Sequence, residues 1–138
     1  MNALLAAELE RSIHFFLDHT NRRPDSPGFG LTVDSTKKPT VASIASTGFA
    51  LSAWAIAAER GLLGRPEARA LACGTLHTLL HRAAHYRGFF AHFLRLADAA
   101  RVGKSEYSTI DTALCLNGVI TTAAYWYDDA EMADLAAR

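Results

Sequence analysis

The chain has 138 residues, with 14 basic and 14 acidic residues and a formal net charge of zero. Half of the residues are hydrophobic, which is enough apolar material to form the core of one domain. The basic residues are scattered rather than clustered, so a nucleic-acid-binding protein is not predicted. Cys73 and Cys115 lie in apolar helical segments without a CxxC spacing, and we expect both to be buried free thiols.

The first predicted helix runs from Ala3 to His19, and a long polar loop follows it. Apolar residues recur in this helix at three- and four-residue intervals, as on one face of an amphipathic helix. The segment from Thr20 to Thr40 is longer than the usual connection between packed helices, and we expect residues 20–40 to be a functional loop. An export signal is not expected at the N-terminus, because the apolar run that it would need is interrupted by the charged residues Glu8, Glu10 and Arg11.

The second predicted helix, from Val41 to Ala58, contains no charged residue. Its length would permit a membrane span, but four Ser or Thr, one Gly and seven Ala make it too weakly hydrophobic for insertion. We therefore predict a helix that is enclosed by other helices, where small residues permit close approach.

Three more helices are predicted beyond it. Pro66 suits the first turn of a helix from Arg65 to Ala83, a fourth is expected from Ser108 to Tyr127, and a fifth begins near Asp129. Periodicity leaves residues 88–101 open between a short helix and a strand with a turn. The second and fourth helices are similar in their small apolar residues, as in stacked helical hairpins. The remaining three helices are too few to cover both the second and the fourth helix. We therefore expect uncovered apolar surface and a fold that is incomplete in this chain.

Three segments, taken in order, resemble one known family. They are DSTKKPTVASIASTGFALSAWAIAAERG from Asp34, YRGFFAHFL from Tyr86 and SEYSTIDTAL from Ser105. Their order and spacing are similar to those of the glycoamylase-like family, which includes bacterial endo-β-1,2-glucanases and the processing domain of cyclic β-1,2-glucan synthases. The resemblance covers residues 9–138 and only the N-terminal third of the family's domain.

This resemblance implies an all-α fold, in which helical hairpins of residues 1–138 form the N-terminal portion of an (α/α)6 toroid. It implies that the stretch from Gly88 to Leu94 is extended and lines a sugar-binding cleft. It also implies a glycoside hydrolase without a cofactor, which cleaves β-1,2-linked glucan or a related oligosaccharide by acid/base hydrolysis.

Glu106 and Asp111, at the start of the fourth helix, are the candidate catalytic residues. An unpaired carboxylate is costly to bury, so both need compensation. Ser108 and Asp111 have the S-x-x-[DE] form of a capping box, which would account for Asp111 without catalysis. Glu106 precedes the cap, and it is either a solvated loop residue or, as the resemblance implies, a cleft residue. Inverting hydrolysis needs carboxylates about 6.5–9.5 Å apart, and we expect at least one partner beyond residue 138.

The resemblance also implies four substrate-binding residues, which are Asp34, Tyr86, Phe89 and His92. The alternative interpretations are a turn aspartate, core aromatic residues and a packed histidine. Arg95 departs from the family pattern, in which an acidic residue often follows HFL. If that position forms part of an acidic pocket, the activity is expected to be altered or lost.

Two alternatives to an enzyme stay open. The first is a non-catalytic helical module that self-associates or binds a partner through exposed apolar helices, at residues that include Ala50, Trp54 and Leu114. The second is a metal-binding bundle, because His77, His81 and His85 recur every four residues and would share one helical face. No Glu stands between these histidines as in HExxH and no cysteine is placed to assist them, so clustering is the simpler interpretation and none of them is assigned as a metal ligand.

Overall fold

The computed structural model describes residues 2–138. Within these residues the chain forms five helices and four short strands, in the order α1 (Ala3–His19), β1 (Val41–Ser43), α2 (Ile44–Glu59), α3 (Arg65–His81), β2 (His85–Tyr86), β3 (Phe89–Phe90), β4 (Phe93–Arg95), α4 (Thr109–Tyr125) and α5 (Ala130–Ala137). All five predicted helices are confirmed, with ends that differ by a few residues. The prediction of an all-α fold is wrong in one respect, since the helices are joined by short antiparallel strands.

The strands lie between the helical segments and account for the differences from the predicted boundaries. Residues 41–43, predicted as helix, pair antiparallel with β4, and Ser43 then caps α2 by accepting a hydrogen bond from the Ser46 amide at 3.4 Å. β2 and β3 form a hairpin whose turn residues Arg87 and Gly88 have φ of 49° and 85°. Positive φ at both turn residues matches a type I′ turn. The extended backbone expected between Gly88 and Leu94 is confirmed by β3 and β4.

Helices α2 and α4 pack against each other with almost no space between their backbones. A Cβ atom on Gly48 would lie 2.4 Å from the Cα atom of Cys115, and one on Gly118 would lie 2.1 Å from the Gly48 carbonyl oxygen. Both positions therefore require glycine, and Cys115 is fully buried beside them. The close approach predicted from the small residues of the second helix is confirmed.

The core lies around α2, whose residues Leu51 and Trp54 are fully buried. The helix α3 adds its apolar face, including Leu76, and the short α5 adds Met132. Both cysteines are buried and free, as predicted. Every helix within residues 2–138 is too short or too polar to span a bilayer.

The loop of residues 20–40 is folded onto the rest of the domain. Its residue Leu31 is fully buried, and Gly30, with φ of 82°, lies directly against Thr75 of α3. The Asn21 side-chain amide donates hydrogen bonds to the Leu96 carbonyl at 2.8 Å and to the Ser26 hydroxyl at 2.7 Å. The loop is thus tied to both α3 and the segment after β4, while its function stays a prediction.

An uncovered apolar surface runs along the outer side of α4, as the sequence predicts. Ile110 and Ile120 are 67% and 65% exposed, and Leu116 lies between them. Ala50 and Trp54 are fully buried inside the domain, so the expectation that they form an association surface is wrong. The exposed large apolar side chains of α2 are those of Phe49 and Ile56. We refer to the exposed apolar side chains of α2 and α4, which are Phe49, Ile56, Ile110, Leu116 and Ile120, as the apolar face.

Candidate active site

The three sequence segments that resemble the glycoamylase-like family meet at the backbone of His92. The His92 amide donates to the Glu106 carbonyl at 2.9 Å, and the His92 carbonyl accepts from the Ile44 amide at 3.1 Å. On the Glu106 side, the Ser108 amide donates to the Phe90 carbonyl at 3.0 Å. The GFFAHFL segment is therefore held between the start of α2 and the start of α4.

The side chain of His92 lies between the two candidate catalytic carboxylates. Its Nδ1 atom is 2.7 Å from Oε1 of Glu106, and its Nε2 atom is 3.7 Å from Oδ1 of Asp111. The first distance is that of a hydrogen bond, and the second is too long for one. The side chains of Glu106, His92 and Asp111 are 65%, 25% and 14% exposed, so the group leads from solvent towards the interior.

The electrostatics of this group favour an ionised Glu106. The hydrogen bond from His92 holds the pKa of Glu106 below its ordinary value, with smaller contributions from the Glu106 backbone amide and from Coulombic attraction to His92 and Arg101. An ionised carboxylate can only accept hydrogen bonds, so Nδ1 of His92 carries the shared proton. Glu106 is therefore a base or a hydrogen-bond acceptor at neutral pH rather than a proton donor.

Asp111 contacts two groups, which are the Ser108 cap of α4 and the ring of His92. The Ser108 hydroxyl accepts from the Asp111 amide at 3.2 Å and donates to the Asp111 carboxylate. The predicted capping box is only half formed, because the Ser108 amide is bonded to Phe90 instead of to the Asp111 carboxylate. Asp111 thus has one oxygen at the cap and one oxygen towards His92, which combines the capping and the site interpretations.

The predicted aromatic residues lie on the β2–β3 hairpin beside this group. Tyr86 and Phe89 face each other across the turn and are both exposed, so the alternative that they fill the core is wrong. The Tyr86 ring is 5.7 Å from the ring of Tyr107, which the sequence analysis missed. The guanidinium carbon of Arg101 lies 4.4 Å from the centre of the Tyr107 ring. The signal for Tyr107 was its place between Glu106 and Ser108.

Asp34 and Arg95 lie at the other end of the strands. The Asp34 amide donates to the Val41 carbonyl at 3.0 Å, and Val41 is opposite Arg95 in the β1–β4 register. Arg95 is three positions after His92, or about 10 Å along an extended chain. Arg95 forms a 2.6 Å ion pair with Asp98, so its charge is compensated locally. The structure therefore places Asp34 near Arg95 on the strands, and the role of Asp34 in substrate binding stays a prediction.

Of the three histidines predicted to share a helical face, His77 and His81 do so on α3, where their rings stack with centroids 5.7 Å apart, and His85 does not. His81 is the last residue of α3 and His85 belongs to β2. His77 instead lies near Cys73 and Glu131. The expectation that no cysteine is placed to assist these histidines is wrong, because Cys73 is one helical turn from His77 on α3 and the packing of α5 adds Glu131.

Comparisons with known proteins identify the fold. No family model and no curated protein matches the sequence. The structure of the chain is similar to that of a beta-1,2-glucanase from Parabacteroides distasonis, with a TM-score of 0.77 and 17% identity over 97% of this chain and 19% of that one. It is also similar to an endo-beta-1,2-glucanase from Chitinophaga pinensis in complex with sophorotriose and glucose, with a TM-score of 0.72 and 18% identity over 94% of this chain and 32% of that one.

These similarities confirm the resemblance that the three segments indicate. Residues 2–138 are mainly helical and share the fold of part of each of these glucanases. The chain spans less than a third of the length of either glucanase. At identities below one fifth, these comparisons establish the fold alone, and any chemistry has to be argued from the residues of this chain.

Proposed function

We propose that this chain is the N-terminal part of an (α/α)6 toroid whose cleft binds and hydrolyses β-1,2-linked glucan or a related oligosaccharide. The observation that carries the proposal is the His92 ring between Glu106 and Asp111. The similarity of the fold to two β-1,2-glucanases supports the substrate class.

The charge of Glu106 indicates which of the two carboxyl roles in glycoside hydrolysis this residue suits. Hydrolysis needs a carboxylic acid that protonates the leaving oxygen, and its pKa is usually raised, together with a carboxylate that acts on water or on the anomeric carbon. Because His92 lowers the pKa of Glu106, this residue suits the second part or the binding of sugar hydroxyls. Asp111 is the second carboxylate of the group and orients His92. The proton donor, in this proposal, comes from outside residues 1–138.

The exposed aromatic rings beside Glu106 provide the sugar-binding surface. Tyr86, Phe89 and Tyr107 present apolar ring surface to solvent, and sugar rings offer apolar C–H faces that stack on such rings. Asp34 lies near Val41 and Arg95, about three positions along the strands from His92. In this proposal it would contact only an oligosaccharide of several units.

The proposal is tested by calorimetric binding of β-1,2-linked glucose oligosaccharides to the 138-residue chain. We expect binding that weakens about 10- to 100-fold in Glu106→Gln, because a hydrogen bond to a charged group is worth about 1.5–3 kcal/mol. Glu10→Gln is the matched control, since Glu10 is exposed on α1. Equal binding by Glu106→Gln, or equal affinity for β-1,4-linked oligosaccharides, would contradict the proposal.

The apolar face supports a second candidate function. A chain with Ile110, Leu116 and Ile120 exposed along one helix can act as a non-catalytic module that self-associates through α4. Sedimentation velocity distinguishes this candidate. It predicts a dimer that Ile120→Gln dissociates and no affinity for the oligosaccharides.

A further inference from the structure

A second group of reactive side chains lies where α5 packs on α3. Cys73 and His77 are one turn apart on α3, and Glu131 belongs to the first turn of α5. The Cys73 sulfur, a ring nitrogen of His77 and a carboxylate oxygen of Glu131 all lie within 4.8 Å of one another. Cys73 is buried, whereas His77 and Glu131 are about half exposed, so the group opens to solvent on one side.

We infer that Cys73, His77 and Glu131 form a binding site for a divalent transition metal of the zinc type. A thiolate, an imidazole and a carboxylate are the three ligand types that zinc takes in proteins, and three protein ligands leave a fourth position to water. Tetrahedral bonds of about 2.0–2.3 Å place ligand atoms roughly 3.5 Å apart, so the three side chains need to close by about 1 Å.

The charges around the group are compatible with a bound dication. One oxygen of Glu131 accepts from Arg69 at 2.9 Å, and the other faces Nε2 of His77 at 3.9 Å. Arg69 has its own counterion in Asp129, which it contacts through both a guanidinium NH2 group and Nε. Glu131 can therefore bind a metal through the oxygen that faces His77, while Arg69 stays paired and holds the other oxygen.

Metal binding requires a proton to leave Cys73. Burial, together with the nearby negative charge of Glu131, raises the pKa of the Cys73 thiol to about 11, so the free site holds a neutral thiol. When the sulfur–metal bond forms, the thiol proton passes to solvent and the thiolate and carboxylate together neutralise the dication. The bound metal would join α5 to α3.

Cobalt(II) titration of the 138-residue chain tests this inference. We expect one equivalent of Co²⁺ to give thiolate-to-cobalt charge-transfer absorption in the near ultraviolet, and Zn²⁺ to displace it and to raise Tm. The absorption should be lost in Cys73→Ala and in Cys73→Ser, and the dissociation constant should rise at least about 10-fold in His77→Ala and in Glu131→Gln.

Two variants serve as matched controls. Cys115→Ala removes the other buried thiol and His85→Ala removes the third histidine of the sequence triplet, and both should retain the absorption. Circular dichroism of each variant separates loss of the metal from loss of the fold. The inference is overturned by the absence of a charge-transfer band in the folded wild-type chain, or by a band that persists in folded Cys73→Ala.

Discussion

His92 donates from Nδ1 to Oε1 of Glu106 across 2.7 Å, while its own amide donates to the Glu106 carbonyl at 2.9 Å. The two residues are thus joined through both side chain and backbone, although 14 positions separate them in the sequence. The backbone bond holds His92, which lies between β3 and β4, beside Glu106, and the ring then reaches the carboxylate.

Replacing His92 by Ala should raise the pKa of Glu106 towards its ordinary value. The hydrogen bond from His92 is the largest cause of the lowered pKa in the folded chain. A lowered folded-state pKa stabilises the fold at pH above the unfolded pKa of Glu106, and this contribution is lost as the pH falls through the folded pKa. The stability difference between wild type and His92→Ala should therefore shrink on acidification.

Carbon-13 NMR titration of the Glu106 carboxyl group measures this pKa directly. His14→Ala, which removes an exposed histidine of α1, is the matched control and should leave the Glu106 titration unchanged. An identical Glu106 pKa in wild type and His92→Ala would refute the assigned cause.

Replacing Ser108 by Ala should lower the free energy of unfolding by about 1 kcal/mol. The substitution removes the cap of α4 and leaves the part-buried Asp111 carboxylate without its hydroxyl donor. Urea denaturation provides the measurement. Thr109→Ala, at the next and exposed position, should change the unfolding free energy by less than about 0.5 kcal/mol. Equal effects of the two substitutions would argue against the cap.

Replacing Gly48 by Ala should destabilise the fold by about 1–3 kcal/mol or more. The added methyl group would lie 2.4 Å from the Cα atom of Cys115, and backbone cannot move aside as a flexible side chain can. Gly64→Ala is the matched control, because an added Cβ at Gly64 has no atom within 4 Å. Thermal unfolding of both variants decides the point, and a Gly48→Ala variant as stable as Gly64→Ala would contradict the close packing of α2 and α4.

Replacing Ile120 by Gln should leave the unfolding free energy within about 0.5 kcal/mol of wild type. Ile120 is 65% exposed on the apolar face, so little burial is lost. Leu51→Ala, at a fully buried position of α2, should cost about 2–5 kcal/mol in the same urea measurement. A large loss of stability in Ile120→Gln would show that the face is covered within the folded chain or by association.

The sequence by itself determined the helices and the residues that resemble a known family. Periodicity placed α1 between Ala3 and His19 because apolar residues at helical spacing can be recognised without knowing what covers them. The small side chains between positions 41 and 58 predicted close helix packing, and the structure shows it at Gly48 and Gly118. The order and spacing of the three segments indicated a resemblance to one family, and the structure joins the segments at His92.

Tertiary packing alone decided the strands, the partners of each side chain and the second group at Cys73. Val41, Ala42 and Ser43 are compatible with a helix, but pairing with Phe93, Leu94 and Arg95, which are about fifty residues away in sequence, makes them a strand. The sequence groups His77 with His81 and His85 because the three recur every four residues. Glu131 comes close to His77 only through the packing of α5 on α3. Local propensity is encoded over a few residues, and such long-range contacts are fixed only when the whole core forms.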